Sequence, residues 1–327
     1  MPHCSQMKSN SDAPQLYVQK IGQTAHGLLT PGRRGKVLAA FSNAVYMLSD
    51  QEELFWLATV KNPMHHCCMQ LSGPLPRAAV DTPFTVKDQH LTLGADIILD
   101  FSQAFIWEAP LISPKDAAAI TDLPERVCTI FSVLSNLIHP VGFGNLIPEI
   151  FSIAIDCNAP RRSQKLTGIP ALAWPVIQEI TKACLAHDIS RVLQQANALV
   201  GLGEGLTPSG DDFVGGLLFC KAMLQCHYPG FFSLAPSVQA DLIETAKPST
   251  NIISYTMLKE HAEGHAAETL HRFVNALLTH QSLERVCQLG SELAKIGHST
   301  GWDLLAGVLT GMLLTFPVST PVRPNIF

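Results

Sequence analysis

The sequence predicts an α+β protein in which an N-terminal β-rich domain is followed by a mainly α-helical domain. Short apolar runs, broken by Gly, Pro, Asn and Asp, fill the stretch from about residue 16 to residue 112 and read as strands. Beyond that stretch, apolar residues recur at intervals of three and four, which is the spacing of a helix face. Strand and helix patterns do not alternate along the chain, so a doubly wound parallel sheet is not expected.

The same patterns give the predicted boundaries. Residues 1–14 are polar and are expected to fray, residues 15–112 form the β-rich domain, and residues 113–327 form the helical domain, with the junction at Pro110–Pro114. The predicted strands lie in the runs Gly35–Leu48, Leu54–Val60, Phe84–Val86, Leu91–Leu93, Ile97–Phe101 and Phe105–Trp107. The predicted helices are Ala117–Ile138, Trp174–Leu185, Ile189–Val200, Phe213–Met223, Ser254–Leu278, Leu283–Ile296 and Asp303–Leu314.

Composition narrows the class of protein. The chain has 327 residues, of which 47% are hydrophobic and only 15% are charged, so it is long and apolar enough to bury a real core. A net charge of -5 disfavours nucleic-acid binding, which needs a basic face. The longest apolar run, near Leu304–Phe316, is too short to span a bilayer. Nine cysteines without a disulfide-like frame, and no signal-peptide pattern, predict a cytoplasmic protein with reduced thiols.

The most informative stretch is the glycine-rich segment Gly201–Gly216, which contains a Thr-Pro-Ser turn and paired aspartates. Glycine costs about 1 kcal/mol relative to alanine inside a helix, so this density needs a reason. The stretch Thr300–Leu309 repeats its second half, and we expect two helix starts that are built alike and point at one place. The matched pairs are Gly210 with Gly301, Asp212 with Asp303, Gly216 with Gly307 and Leu218 with Leu309.

A purely architectural interpretation accounts for part of this pattern. Ser209 with Asp212, and Thr300 with Asp303, fit the Ser/Thr-x-x-acid capping box, in which a hydroxyl takes up a free backbone N–H at a helix start. The glycines further along, among them Gly216, would let two helices pack backbone to backbone.

A ligand-binding interpretation stands beside it. Several glycines before a helix start can form a loop whose N–H groups hold an anion. The segment is neither a phosphate loop, because no Gly-Lys-Ser/Thr follows, nor a dinucleotide fingerprint, because a helix pattern precedes it. Asp211 and Asp212 would repel a phosphate and would instead suit a metal, an amino group or a carbamoyl NH₂. The residues alone leave both interpretations open.

Three other patterns give weaker signals. His261 and His265 have ligand-like spacing, but Ala262 stands where a zinc hydrolase motif has Glu, so a polar helix face is favoured over a metal-dependent hydrolase. The run Met64–Met69 has metal-like residues but no second cluster at a standard spacing. The basic stretch Pro160–Lys165 reads as a solvated loop, with contact to an acidic ligand or partner as the alternative.

Three segments together resemble the AllH family. They are Gly201–Gly216, then Ile253-Ser254 with Gly264 and Glu268, then Gly297–Gly307. The resemblance covers most of the chain in order, is strongest over residues 201–311 and is weak over 1–112, where the family tends to have a histidine and this chain has Leu38.

The resemblance implies a subunit of an oxamate carbamoyltransferase that works with two other subunit types in the breakdown of allantoin-derived ureides. The complex interconverts oxalurate plus phosphate with oxamate plus carbamoyl phosphate, so the small anionic ligand would be one of these compounds. The chain lacks the Ser-Thr-Arg-Thr-Arg signature of ornithine and aspartate carbamoyltransferases, so its site would be of a different kind. A non-catalytic structural or regulatory subunit, whose glycine-rich segments serve helix packing and subunit docking, is the alternative.

Carbamoyl transfer needs hydrogen-bond donors for the developing oxyanion and a cradle for phosphate. The candidate catalytic residues are Asp211, Asp212, His298 and Asp303. The candidate ligand-binding residues are Gly203, Gly205, Thr207, Ser209, Gly210, Glu268, Ser299, Thr300 and Gly301. Acids beside a phosphate need a cation, which leaves Lys259, Arg161, Arg162, a divalent metal such as Mg²⁺ or a residue of a partner subunit. No cofactor is otherwise predicted.

Overall fold

The computed structural model describes residues 15–110, 120–137, 140–155, 166–229 and 236–317. The predicted fraying at 1–14 and the Pro160–Lys165 loop, with Arg161 and Arg162, lie outside the described residues. The chain divides into two compact units, Met1–Ala109 and Pro110–Phe327. The first is rich in strands and the second is helical, so the predicted α+β class is confirmed. Among the described residues, every helix is too short or too polar to cross a bilayer.

The first unit is built on one sheet that closes on itself. Its strands are β1 (Gln15–Gly22), β2 (Arg34–Ala40), β3 (Ala44–Ser49), β4 (Leu54–Thr59), β5 (Cys68–Leu71), β6 (Pro83–Lys87), β7 (His90–Leu93), β8 (Ile97–Asp100) and β9 (Phe105–Trp107), with a short helix α1 (Gln23–Leu28) after β1. The strand order is β5-β4-β3-β2-β6-β7-β8-β1, and β1 pairs back onto β5, so eight strands form a ring.

Strand β1 makes the closure. It is antiparallel to β5 and parallel to both β8 and β9, which pair with its first and last residues respectively. Its pairing with β5 shifts register between Val18 and Lys20, and a bulge of this kind adds the bend that a closed sheet requires. Ile21, Phe55 and Leu91 are fully buried in the interior.

Ten α-helices are present in the described part of the second unit. They are α2 (Leu123–Leu137), α3 (Ile147–Ile155), α4 (Gly168–Leu185), α5 (Ile189–Ala196), α6 (Ser209–His227), α7 (Pro236–Ala246), α8 (Ile252–Ala262), α9 (Glu268–Leu278), α10 (Leu283–Leu293) and α11 (Thr300–Met312), and short 3₁₀ turns lie at Gly142–Leu146, Asn197–Leu199 and Leu313–Thr315. Helices α3 and α7 were not predicted. The helices predicted over Trp174–Leu185 and Ile189–Val200 are present as α4 and α5, and the Asp188 side chain caps α5 by accepting from the Arg191 N–H at 3.0 Å.

The single long helix predicted over Ser254–Leu278 is wrong. It is two helices, because α8 ends at Ala262 and Gly264 adopts φ +83°, a left-handed conformation that glycine accepts without steric cost. Helix α9 then begins at Glu268.

The core of this unit is continuous, and α6 and α11 lie inside it. Every residue of α11 from Gly301 to Met312 is buried, and α6 is buried over most of its length. A helix that is apolar on all sides belongs in the interior, which fits the weak polar face of both segments. Their starts are therefore held deep in the helical unit.

Candidate functional site

Helices α6 and α11 pack backbone to backbone through the two matched glycines. A Cβ placed on Gly216 would lie 2.2 Å from the carbonyl oxygen of Leu304, and one on Gly307 would lie 2.0 Å from that of Phe213. The two contacts are equivalent, since Phe213 and Leu304 occupy the same position in the repeated motif. The repeat thus forms a pair of helices related by an approximate two-fold axis, and their starts are brought together as the sequence predicted.

Two of the four hydroxyls at the helix starts donate to the aspartate of the opposite helix. Asp212 accepts hydrogen bonds from Thr300 and Thr207, and Asp303 accepts them from Ser209 and Ser299. The Thr207 and Thr300 hydroxyl oxygens are 3.3 Å apart. Ser209 and Thr300 occupy equivalent positions in the repeat, and each of these two hydroxyls donates to the aspartate of the other helix.

This exchange corrects the capping-box interpretation. The N-caps are Pro208 for α6 and Ser299 for α11, and neither makes a side-chain capping bond. Ser209 and Thr300 are the first helical residues instead. Their hydroxyls instead donate to a buried carboxyl of the neighbouring helix, and a hydrogen bond that involves a charged group is stronger than one between neutral groups.

The two carboxyls are buried side by side. Burial, and then the charge of Asp303, raise the pKa of Asp212 well above its ordinary value. Burial likewise raises the pKa of Asp303 to about 6, against the lowering effect of its hydrogen bonds. One oxygen of each, Oδ2, is buried without a hydrogen-bond partner among the described residues. Both carboxyls are therefore more readily protonated than carboxyls that are exposed to water.

Asp211 has a different role from its neighbour. Its Oδ1 accepts from the Gly201 N–H at 2.5 Å, and its Oδ2 accepts from the hydroxyls of Thr250 and, at 2.5 Å, Ser254. These bonds tie α6 to the glycine-rich loop and to the start of α8. Asp211 therefore anchors the surrounding backbone, and its catalytic role stays a prediction.

Backbone geometry accounts for the glycines before α6. Gly201, Gly203 and Gly205 have φ of +80°, +129° and +97°, a region that other residues rarely adopt. A Cβ on Gly210 would lie 1.9 Å from the Leu199 carbonyl oxygen, so this position needs glycine for packing.

The predicted N–H cradle is partly used by the protein itself. The Gly210 N–H donates to Leu202 O at 2.8 Å, and the Gly301 N–H donates to Ile296 O at 3.0 Å. These two amides are therefore occupied. Two atoms of the site that have no hydrogen-bond partner among the described residues are Asp212 Oδ2 and Asp303 Oδ2.

The other predicted residues lie at different depths. Thr207, Ser209, Ser299 and Thr300 line the two starts and are half-buried. His298 is exposed in the turn before α11. Glu268 begins α9, and no hydrogen bond or ion pair links it to the carboxyl pair in the described part of the chain.

The predicted cation is not found beside the pair. No salt bridge joins Asp212 or Asp303 to a basic side chain of the described residues, and Lys259 is exposed on α8.

A further segment that contacts the carboxyl pair was not predicted from the sequence. The N–H of Phe143, in the 3₁₀ turn between α2 and α3, donates to Asp303 Oδ1 at 2.5 Å. The available signal was the Gly142-Phe143-Gly144 pattern after Pro140, which marks a tight turn.

His261, near the end of α8, and His265, in the segment after it, do not come together as the hypothesised zinc site of the described residues. His261 is buried against Gly215, and burial lowers its pKa to about 4. His265 instead pairs with Glu260, 3.3 Å from its Nδ1, and with Glu263 at 3.9 Å. Ligand atoms of these last three residues lie within 4.8 Å of one another and could hold a cation, whereas His261 belongs to no such group of the described residues.

The Met64–Met69 run is packed into the first unit. The His65 ring lies 4.8 Å from the Trp56 ring, and its Nδ1 accepts from the Cys67 N–H at 3.1 Å. Burial raises the pKa of the Cys68 thiol, which disfavours the thiolate form that binds metals.

The helical region that carries the carboxyl pair matches a known family. Residues 199–312 match the family model described as "Oxamate carbamoyltransferase subunit AllH". These residues form an AllH domain. The AllH domain runs from the end of α5 through α11, so it includes Asp211, Asp212, Asp303 and the hydroxyls around them, as the resemblance implied. The match does not extend to the closed sheet or to Gly142-Phe143. No solved structure matches the chain.

Replacing Asp303 with Asn should change how stability depends on pH. A carboxyl whose pKa rises from 3.8 to about 6 on folding favours the folded state only while protonated. The free energy of unfolding of the wild type, measured relative to that of Asp303→Asn, should therefore fall by up to about 3 kcal/mol as pH rises from 4 through 6. Above pH 6 the difference should level off. Denaturant unfolding at each pH measures this. A difference that is flat or rises with pH contradicts the assignment, and the exposed Glu204→Gln should show little change.

Proposed function

We propose that this chain is a subunit of an oxamate carbamoyltransferase complex and contributes the carboxyl pair Asp212 and Asp303 to its active site. The complex would interconvert oxalurate plus phosphate with oxamate plus carbamoyl phosphate in ureide catabolism, with two other subunit types, in the cytoplasm. The observation that carries the proposal is the burial of two hydroxyl-held carboxyls, each with an oxygen lacking a partner among the described residues, inside the AllH domain.

The raised pKa values of the pair suit acid–base chemistry. In the direction from oxalurate, a phosphate oxygen attacks the carbamoyl carbon, the bond from that carbon to the oxamate nitrogen breaks, and the nitrogen takes up a proton. Asp212, whose pKa burial raises well above its ordinary value, is the donor of that proton. Asp303, with a pKa of about 6, is largely ionised and accepts the proton of the incoming phosphate. Two carboxyls whose environments separate their pKa values can divide the acid and base roles in this way.

The helix starts supply stabilisation for the negative charge. Two helix N-termini converge on the pair, and each carries a partial positive charge. This partial charge favours the carbonyl oxygen that becomes negative in the transition state and the phosphate that attacks the carbamoyl carbon.

The role of Asp212 is tested in the assembled complex with Asp212→Asn. Asn has the same size, so the complex should form normally, but it cannot donate a carboxylic proton. We expect carbamoyl transfer to fall by roughly 100-fold or more. Asp241→Asn, at an exposed carboxyl of α7, is the matched control and should be fully active. An Asp212→Asn complex with normal composition and unchanged activity would exclude the acid role.

A non-catalytic subunit is the second candidate, because the packing of Gly210, Gly216, Gly301 and Gly307 explains these glycines without any ligand. In that case Asp212→Asn would affect only complex assembly or melting temperature. Binding of carbamoyl phosphate to the complex would be unchanged. The size of the complex and its ligand affinity, measured on the same preparations, separate the two candidates.

A further inference from the structure

The turn Gly142–Leu146 lies outside the AllH domain and yet contacts one of the two carboxyls directly. Its Phe143 N–H donates to Asp303 Oδ1 at 2.5 Å, a short bond to a buried acceptor. The Phe143 side chain is fully buried and packs edge-on against Phe213 of α6, with ring centroids 5.9 Å apart. The peptide that makes the hydrogen bond is thereby fixed by the same helix pair that carries the site.

The preceding residue constrains the same oxygen from a second side. A Cβ on Gly142 would lie 2.3 Å from Asp303 Oδ1 and 2.8 Å from Ser299 Cβ, so no side chain fits there. Gly142 also has φ +55°, in the left-handed region. The turn therefore holds Asp303 by a hydrogen bond and by close backbone contact at one atom.

We propose that Gly142-Phe143 is a positioning element of the carboxyl pair, which occupies Asp303 Oδ1 and leaves Oδ2 as the oxygen that meets Asp212 and the substrate. The part of this statement that concerns substrate rests on the proposed function. The part that concerns the orientation of Asp303 does not. The helical domain would thus complete its site with a segment that precedes the AllH domain.

The surroundings of Asp303 make its titration a readout of this contact. Asp212 faces it from α6 and is the titratable group beside it, while Asp211 acts on Asp212 by its charge. The hydroxyls of Ser209 and Ser299 and the Phe143 N–H all lower the pKa of Asp303. Loss of the Phe143 bond removes a donor to the ionised form, so the Asp303 carboxyl should titrate at higher pH.

The first experiment compares Gly142→Ala with Gly144→Ala in the full chain. The added methyl at 142 displaces Asp303 Oδ1, whereas at 144 it meets the Trp302 ring at 2.7 Å, so both disturb the turn but only one touches the carboxyl. Carbon-13 NMR of labelled aspartate carboxyls, assigned with Asp303→Asn, should show Asp303 shifted upward by about one pH unit in Gly142→Ala only. Equal shifts in both variants, or none in Gly142→Ala, overturn the proposal.

A double-mutant cycle covers the case in which Gly142→Ala does not fold. Asp303→Ala removes the atoms that the new methyl strikes, so Gly142→Ala should be tolerated better in that background than in wild type. Additive effects, or a double variant that also fails to fold, overturn the positioning role.

Carbamoyl transfer by the assembled complex then separates this proposal from the proposed function. A shifted titration or a non-additive cycle with normal transfer supports the positioning role and counts against catalysis at this site. Reduced transfer by Gly142→Ala, with an unshifted titration and additive stability effects, overturns the positioning role and leaves the proposed function standing.

Discussion

Replacing Gly307 with alanine is expected to lower the free energy of unfolding by about 3 kcal/mol or more. The new methyl would lie 2.0 Å from the Phe213 carbonyl oxygen, and that atom belongs to the backbone of a buried helix, so α6 and α11 would have to separate. Gly216→Ala, 2.2 Å from the Leu304 carbonyl oxygen, should have a similar effect because the contact is its equivalent. Denaturant unfolding followed by far-UV circular dichroism measures both.

Gly290→Ala is the matched control for these two substitutions. Gly290 is also a helical glycine of the second unit, but a Cβ there would meet only side-chain atoms of Leu134 and Phe273 at 3.3 Å, and these can move. The higher helix propensity of alanine offsets part of the crowding, so its stability should stay within about 1 kcal/mol of wild type. If Gly307→Ala is no more destabilising than Gly290→Ala, the backbone contact between α6 and α11 is not as close as described.

Replacing Asp211 with alanine is expected to be the most destabilising change among the three aspartates of the two motifs, at about 3 kcal/mol or more. The carboxylate accepts from the Gly201 N–H and from the hydroxyls of Thr250 and Ser254, and the substitution leaves all three donors without it. Thermal and denaturant unfolding measure the loss.

Ser254→Ala removes only one of these bonds and should cost about 1 to 2 kcal/mol. Asp212→Asn keeps the size of its side chain and loses no backbone tie, so its stability should be closer to wild type than that of Asp211→Ala. A result in which Ser254→Ala is as harmful as Asp211→Ala would mean that the carboxylate is not the centre of this network.

The main division of the fold could be read from the sequence because it depends on local patterns. Alternation and turn residues before residue 112, and three-to-four spacing afterwards, are properties of each segment by itself. Closure of the sheet could not be read in this way, since β1 pairs with β5 across many intervening residues and no local pattern specifies the partner of a strand. The break at Gly264 was available in principle, because a glycine after Glu260 and His261 is a usual helix stop.

The residues of the candidate site were predicted, but the hydrogen bonds between them were not. The match between Gly210-x-Asp212 and Gly301-x-Asp303 was enough to expect two similar helix starts side by side. The hydroxyls were misassigned because Ser/Thr-x-x-Asp is satisfied equally well by a capping box within one helix or by exchange between two. Asp211 and Asp212 are adjacent in sequence, and only the direction of each side chain from α6 separates an anchor from a member of the pair.

The exchange of hydroxyls between the two starts has a consequence for biosynthesis. Asp212 lies on α6, while the hydroxyl of Thr300 that holds it comes from the last long helix of the chain, after four further helices have been made. A nascent chain that has emerged only through α10 therefore contains Asp212 but lacks both Thr300 and Asp303. Contacts of such long sequence separation form late, so the carboxyl pair can assemble only after α11 has been synthesised.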